Sequence, residues 1–311
     1  MTRFGMCFGK DFVGDNPLSH ISVKRPVYIR LLELCQNQGW EVYVLTKKTY
    51  IGNGIFNGVW LFKNGTFERL ENEIKIDLVF DWVGDLDFPP RNNDNLRVVN
   101  CRKFKELTCD KWEAYQILEE YMPKTLWVGE YKNVFDLLGK ISTETIVLKP
   151  YNGLRGKGIF IGSKEKLKEF KPEKEDTKFI LQEFVDTANG IPGITPGKHD
   201  LRIVVVNGKV AWCHVRVPAP GTFLANAAQG GNLTEIDYGL VPESVKKIVR
   251  VISKKFYDEY DNPMFSLDFG IDEKGTPLIF EINDQIGFPK WEMKNRDVFL
   301  MALITNFSSK M

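Results

Sequence analysis

The chain has 311 residues, 43% hydrophobic and 13% aromatic, which exceeds one ordinary domain and provides for two or three packed lobes. Its 42 basic and 41 acidic residues leave a net charge of +1, so no basic excess points to nucleic acid or to an anionic membrane. No apolar run approaches the about 18 residues of a membrane span, and the N-terminus lacks the apolar core of a signal peptide. Five scattered cysteines (Cys7, Cys35, Cys101, Cys109, Cys213) without metal-binding spacing fit reduced thiols in a cytoplasm.

The first hundred residues read as a small α/β lobe. Residues 4–8 form an apolar strand. Residues 26–37 carry the helical stripe Ile29, Leu32, Leu34 and Cys35, closed by Gly39, and residues 40–45 return as a strand. Residues 55–67 read as a hairpin turning at Asn64-Gly65. A strand at 76–82 leads into the polar loop 84–95. His20, Asp81, Asp85 and Asp87 read best as solvated loop groups.

Next, Thr108 or Asp110 caps a helix running to about Tyr121. A strand to Val128 and a short helix at 136–140 follow. Residues 145–150, TIVLKP, form a buried strand ending in Lys149. Such a lysine either meets a partner or sits at a solvent-facing strand end. The loop 151–158 holds Gly153, Arg155, Gly156, Lys157 and Gly158, and returns as a strand at 159–162. No helix follows, so it is neither a Walker loop nor a dinucleotide-binding turn. Its free amides and two cations can fold over a polyphosphate; pure flexibility is the competing reading. Residues 164–178 read as an exposed helix and linker. In the strand 179–185, FILQEFV, Gln182 and Glu183 interrupt the apolar run where amides and backbone groups could read a purine edge.

Residues 199–217 form a hairpin turning at Asn207-Gly208 and carrying Asp200, Arg202 and Arg216. A strict two-residue turn puts the arginines on opposite faces; a bulge beside it brings them together. Service at one site therefore predicts a bulge. The small-residue loop 218–231 includes Asn226, suited to orienting a phosphate or a metal-bound water. Val245, Ile248, Val249, Ile252 and Phe256 mark an amphipathic helix after Pro242. The last hairpin, 265–283, turns at Lys274-Gly275, which places Asp268 opposite Glu281 with Asn283 on the same face. Two facing carboxylates and an amide suit a hard cation, magnesium or manganese; solvated surface acids are the competing reading.

The ordered series Asp110-Lys111, Lys149-Pro150 with its glycine loop, Gln182-Glu183-Phe184, Asp200-x-Arg202, Arg216 through Asn226 with Gly230-Gly231, and Asp268 through Glu281-x-Asn283 resembles an ATP-grasp ligase. It is most similar to the branch of glutathione synthetase and the ribosomal-protein glutamate ligases, over residues 100–290. The resemblance implies an α/β ATP-grasp fold with a Rossmann-like lobe before it: residues 1–100, a lid subdomain at 101–178 and a metal-bearing subdomain at 179–311. It implies ATP, with Lys111 and Lys149 on its α- and β-phosphates and Gln182, Glu183, Phe184 and Val185 at the adenine. It implies two magnesium ions, or manganese, on Asp268, Glu281 and Asn283, and Arg202 and Arg216 stabilising an acyl phosphate and the tetrahedral species. The implied activity is carboxylate–amine ligation on small-molecule or peptide substrates, releasing ADP and phosphate; a small-molecule kinase and an inactive nucleotide-binding module are the alternatives. Relatives are often dimers or tetramers. The chain departs from them at Leu224, where an arginine is common, and at Asp284-Gln285-Ile286-Gly287, where a small residue and Pro-Gly are common.

Overall fold

The computed structural model describes residues 1–10, 12, 16–90, 96–153, 156–223 and 232–311. Its strands fall into three sheets, of seven, four and five strands. The first begins with β1 (Arg3–Phe8), crosses through α1 (Arg25–Asn37) and returns as β2 (Glu41–Thr46), parallel to β1. Val27, Tyr28, Leu31, Leu32 and Cys35 of α1 are buried against the sheet. A short β3 (Tyr50–Gly52) precedes the hairpin of β4 (Ile55–Lys63) and β5 (Thr66–Lys75). Asn64 and Gly65, at φ 50° and 79°, make its turn, a conformation these two residue types enter most readily. β6 (Leu78–Trp82) and β7 (Val98–Val99) extend the parallel part beside β1.

Asp81, at the end of β6, is buried rather than solvated. The reason lies in α2 (Arg102–Cys109), whose Lys105 is itself buried and donates to the Asp81 carboxylate at 2.6 Å. Thr108 lies inside α2, so Asp110 alone caps α3 (Lys111–Leu118), its Oδ1 accepting from the amides of Trp112 and Glu113 at 2.9 Å.

The second sheet contains β8 (Thr125–Glu130), β9 (Thr145–Pro150), β10 (Phe160–Ser163) and β11 (Lys178–Glu183), ordered β10-β9-β11-β8 and antiparallel throughout. β11 belongs to this sheet to its end, so the boundary expected at 178/179 falls within that strand. The short helix expected at 136–140 is a 3-10 segment, Tyr131–Lys140, and the exposed helix expected within 164–178 reduces to Lys166–Glu169.

The third sheet runs β14-β13-β12-β15-β16, from β12 (Asp200–Val206), β13 (Lys209–Val217), β14 (Asn232–Glu235), β15 (Phe265–Ile271) and β16 (Pro277–Asn283). Leu201, Ile203 and Val205 on one face of β12 pack with Phe104 and Leu107 of α2, Ala114 and Leu118 of α3, and Val249, Ile252 and Phe256 of α4 (Glu243–Glu259). On the opposite face Val204 and Val206 join the core of the first sheet, which is completed by Phe299, Leu303 and Phe307 of α5 (Arg296–Ser308). Further along that face the strand carries Arg202 and Asp200, so it passes from apolar to charged within one strand.

Candidate active site

Two bulges set the registers that build the site. In the β12–β13 hairpin Val205 pairs with Val210 but Val204 pairs with Trp212, leaving Ala211 as the extra residue. Arg202 then opposes His214 and Asp200 opposes Arg216, and both arginines share one face, through the kind of bulge expected if they serve one site. In the last hairpin the turn is longer than two residues. Asp272 takes the Thr276 carbonyl at 3.0 Å, and its Oδ1 accepts from the amides of Lys274 and Thr276. That length alone would misalign the acids, but Phe280 bulges out and restores the pairing of Asp268 with Glu281. Gly270 permits this: a Cβ there would lie 2.0 Å from the Phe280 ring.

The registers place one residue from every strand in a single cross-strand row: Glu235, His214, Arg202, Asp268 and Glu281. His214 and Glu235 were not singled out from sequence, because their membership depends on the Ala211 bulge. Asp268 is the hub. Arg202 donates to both its oxygens at 2.6 Å, Arg216 Nη2 to Oδ2 at 2.8 Å and Asn283 Nδ2 to Oδ2 at 3.2 Å. Burial opposes the charge on Asp268, yet Arg202 and Arg216 outweigh it and hold the carboxyl well below the usual carboxylate range. Arg216 also bonds Asp200, whose carboxyl burial and the Asp268 charge push up to about 7. Burial, then Arg202 and Arg216, keep His214 neutral at ordinary pH.

Two lysines approach from the other side. Lys111 Nζ donates to Gly153 O at 2.5 Å and lies 3.1 Å from Glu281 Oε1. Lys149 Nζ donates to Gln182 Oε1 at 2.9 Å and to Phe280 O at 3.3 Å, and burial lowers its pKa to about 8. Lys149 therefore has partners and is not a solvent-facing strand end. Gln182 Nε2 in turn bonds Thr125 Oγ1 at 2.8 Å, and Glu183 Oε1 accepts from Ser142 N and Oγ. Both side chains are thus committed to the protein rather than open to a purine edge.

One cleft collects Lys111, Lys149, Gln182, Glu183, Phe184, Val185, Asp268 and Glu281. Its apolar end is walled by Val147, Ile159, Ile161 and Phe280, which the sequence presented only as strand alternation. Phe223 closes on Phe184, ring centroids 5.2 Å apart, with Lys198 Nζ 3.9 Å from the Phe223 centroid. Of the glycine loop, Gly153 touches Lys111, while Lys157 and Gly158 line an adjoining hollow; Gly156 lies beside them, at φ 73°. Arg155 and Asn226 lie outside the described residues.

The donor set fits a magnesium ion. Two carboxylates and the Asn283 amide oxygen sit on adjacent strands and are hard oxygens. Among the described residues no group of three or more histidine, cysteine or acidic side chains could hold a metal, so the protein's shell is partial. Phosphate oxygens and water would complete it. The cleft fits a nucleotide likewise, apolar at one end and doubly cationic at the other.

A family model described as RimK-like ATP-grasp domain matches residues 108–302. A probable alpha-L-glutamate ligase of Aeromonas salmonicida is 25% identical over 266 residues, 83% of this chain and 84% of that one. Several other probable alpha-L-glutamate ligases match over less than half of their own length. Among solved structures, a D-alanine–D-alanine ligase from Bacillus anthracis complexed with ATP superposes with TM-score 0.65 at 14% identity, covering 100% of this chain and 97% of that one. A RiPP-associated ATP-grasp ligase from Chryseobacterium gregarium, in complex with ADP and a leader and core peptide, gives TM-score 0.61 at 15% identity, covering 99% and 97%.

Proposed function

The chain belongs to the RimK-like ATP-grasp family of carbon–nitrogen ligases, and from that premise we propose that it phosphorylates a substrate carboxylate with ATP and joins the acyl phosphate to an amine, releasing ADP and phosphate. ATP-grasp ligases use ATP and magnesium; two ions on Asp268, Glu281 and Asn283 are part of this proposal. So are three lobes, with the boundary expected at 178/179 moved beyond the end of β11, a homo-oligomer and a cytoplasmic site of action. Among the described residues no helix is long and apolar enough to cross a membrane.

The observation that carries the reading is the meeting of Lys111 Nζ with Glu281 Oε1 at 3.1 Å, in a cleft that Lys149 and Asp268 also line. Cation and metal-binding acid can then touch the same polyphosphate. Lys111 and Lys149 neutralise its α- and β-phosphates. Magnesium, when bound, offsets charge developing on the transferred phosphoryl group. Arg202 Nε and Nη2 fix Asp268, and Arg216 lies beside it to hold the oxyanion of the tetrahedral species. The glycine loop shields the acyl phosphate from water. No serine or cysteine nucleophile is required.

Small-molecule and peptide carboxylates and amines are the substrate classes; L-glutamate, from the relatives' names, is the first to try. ADP release from paired panels, with products read by mass, tests the reading. Release that needs both a carboxylate and an amine supports ligation. Release with a hydroxyl compound and no free phosphate would show a kinase instead.

A further inference from the structure

Where the first sheet meets the third, Lys24 and the free edge of Arg202 approach the turn 287–290. The 3-10 segment Ser19–Lys24 ends on Lys24, whose Nζ donates to the Phe288 carbonyl at 2.6 Å. That carbonyl is held in place, because the Phe288 ring is buried, stacked on Tyr28 at 4.2 Å and edge-on to Trp82 at 5.2 Å. One residue earlier, the Arg202 guanidinium is a neighbour of Gly287: a Cβ there would stand in ordinary contact with Nη1, at 3.9 Å. Arg202 commits Nε and Nη2 to Asp268, so Nη1 is the donor it turns toward this junction. Lys290 follows two residues after Phe288. Among the described residues neither Lys24 nor Lys290 takes part in an ion pair.

Around Lys24 itself the balance is one-sided. Burial, then Arg202 and Lys290, lowers the Lys24 pKa to about 8, and no carboxylate acts in the opposite direction. Lys24 also belongs to the set of cations that keeps His214 neutral. Lys24 and Lys290, half-buried and outside every ion pair among the described residues, are stabilised by an oxyanion that brings its own charge and acceptor oxygens.

We infer that Lys24, Lys290 and Arg202 Nη1 bind an oxyanion borne by the substrate, a group distinct from the carboxyl that is activated. This deepens the ligase reading and rests on it for the reaction the substrate enters, while the binding itself can be measured without turnover. Lys24 would then be a specificity residue supplied by the first lobe to a centre built on the third sheet. It selects substrates with a second carboxylate or a phosphate over those with one carboxyl group.

The test is a nucleotide-free thermal-shift titration of the full chain with glutarate, butyrate and inorganic phosphate, on the wild type, Lys24→Met, Lys24→Arg and Lys290→Met. Glutarate or phosphate should raise the wild-type Tm well beyond butyrate. The apparent affinity should fall about tenfold in both methionine variants and recover in Lys24→Arg. Whichever probe shows the Lys24-dependent response identifies the oxyanion as carboxylate or phosphate. A wild type indifferent to all three probes, or a Lys24→Met response equal to the wild type's, overturns the site. Lys290→Met keeps the test decisive should Lys24→Met fold poorly, since among the described residues the Lys290 side chain takes part in no ion pair. ADP release is assayed separately: its absence with every pair sinks the ligase reading and leaves the titration standing.

Discussion

Arg202 grips Asp268 through two hydrogen bonds of 2.6 Å, Nε to Oδ1 and Nη2 to Oδ2, directly across the β12–β15 pair. The acid assigned to a cation is thus already neutralised by the protein. Asp268→Asn would leave Arg202 and Arg216 buried side by side with their shared counter-charge gone. Breaking such a pair destabilises by about 3–5 kcal/mol, read as a lowered urea midpoint, and turnover should vanish with it. An unchanged midpoint would mean that Asp200 takes over both arginines.

Glu281 is the more accessible acid, its side chain a third exposed and held by Lys111. Glu281→Gln should therefore fold normally and keep most of its ATP affinity by calorimetry. Its kcat should fall by about 100-fold or more, because a ligand that neutralises charge in the transition state is gone. Its magnesium requirement should rise. Undiminished turnover would remove Glu281 from its assigned role.

In the role proposed for it, Lys149 should make ATP binding sensitive to pH. Its pKa falls from the ordinary 10.5 to about 8, chiefly by burial. The unfolded chain therefore binds more protons between about 8 and 10.5, and this residue's contribution to stability rises with pH across that window. Phosphate binding favours the ammonium form. ATP affinity should be level below pH 8 and decline by up to about tenfold per pH unit above it. Lys149→Arg should straighten the profile, as arginine stays charged throughout.

Gly270 is a packing requirement of the proposed nucleotide cleft. In Gly270→Ala the new methyl meets the Phe280 ring at 2.0 Å, and the ring must move. Phe280 walls the cleft and its carbonyl holds Lys149. Overpacking of this kind costs about 1–3 kcal/mol, expected mainly as a raised KM for ATP with a smaller change in kcat.

Much of the third sheet could be read in advance. Asn207 and Gly208 adopt φ 53° and 70°, which fixes a hairpin from two residues. The bulge followed from requiring Arg202 and Arg216 on one face. The Asp268–Glu281 pairing was anticipated from a two-residue turn, whereas the structure reaches it through a longer turn and a bulge at Phe280, two departures that offset each other. Other features had no local signal. α5 is apolar nearly all round, Val298 and Met301 remaining exposed, so no periodic stripe marked it. Asp81 looked solvated because Lys105 reaches it only through the packing of α2. Val147, Ile159 and Ile161 alternate as any core strand would, and only the cleft shows what they face.

The row from Glu235 to Glu281 depends on every strand pair of its sheet. A nascent chain on the ribosome therefore carries Lys111, Lys149 and both arginines well before the strand that brings Glu281 and Asn283 has emerged. Until then Asp268 stands without the second acid and the amide that the proposal assigns to the nucleotide's metal, and the proposed site of an unfinished polypeptide is incomplete.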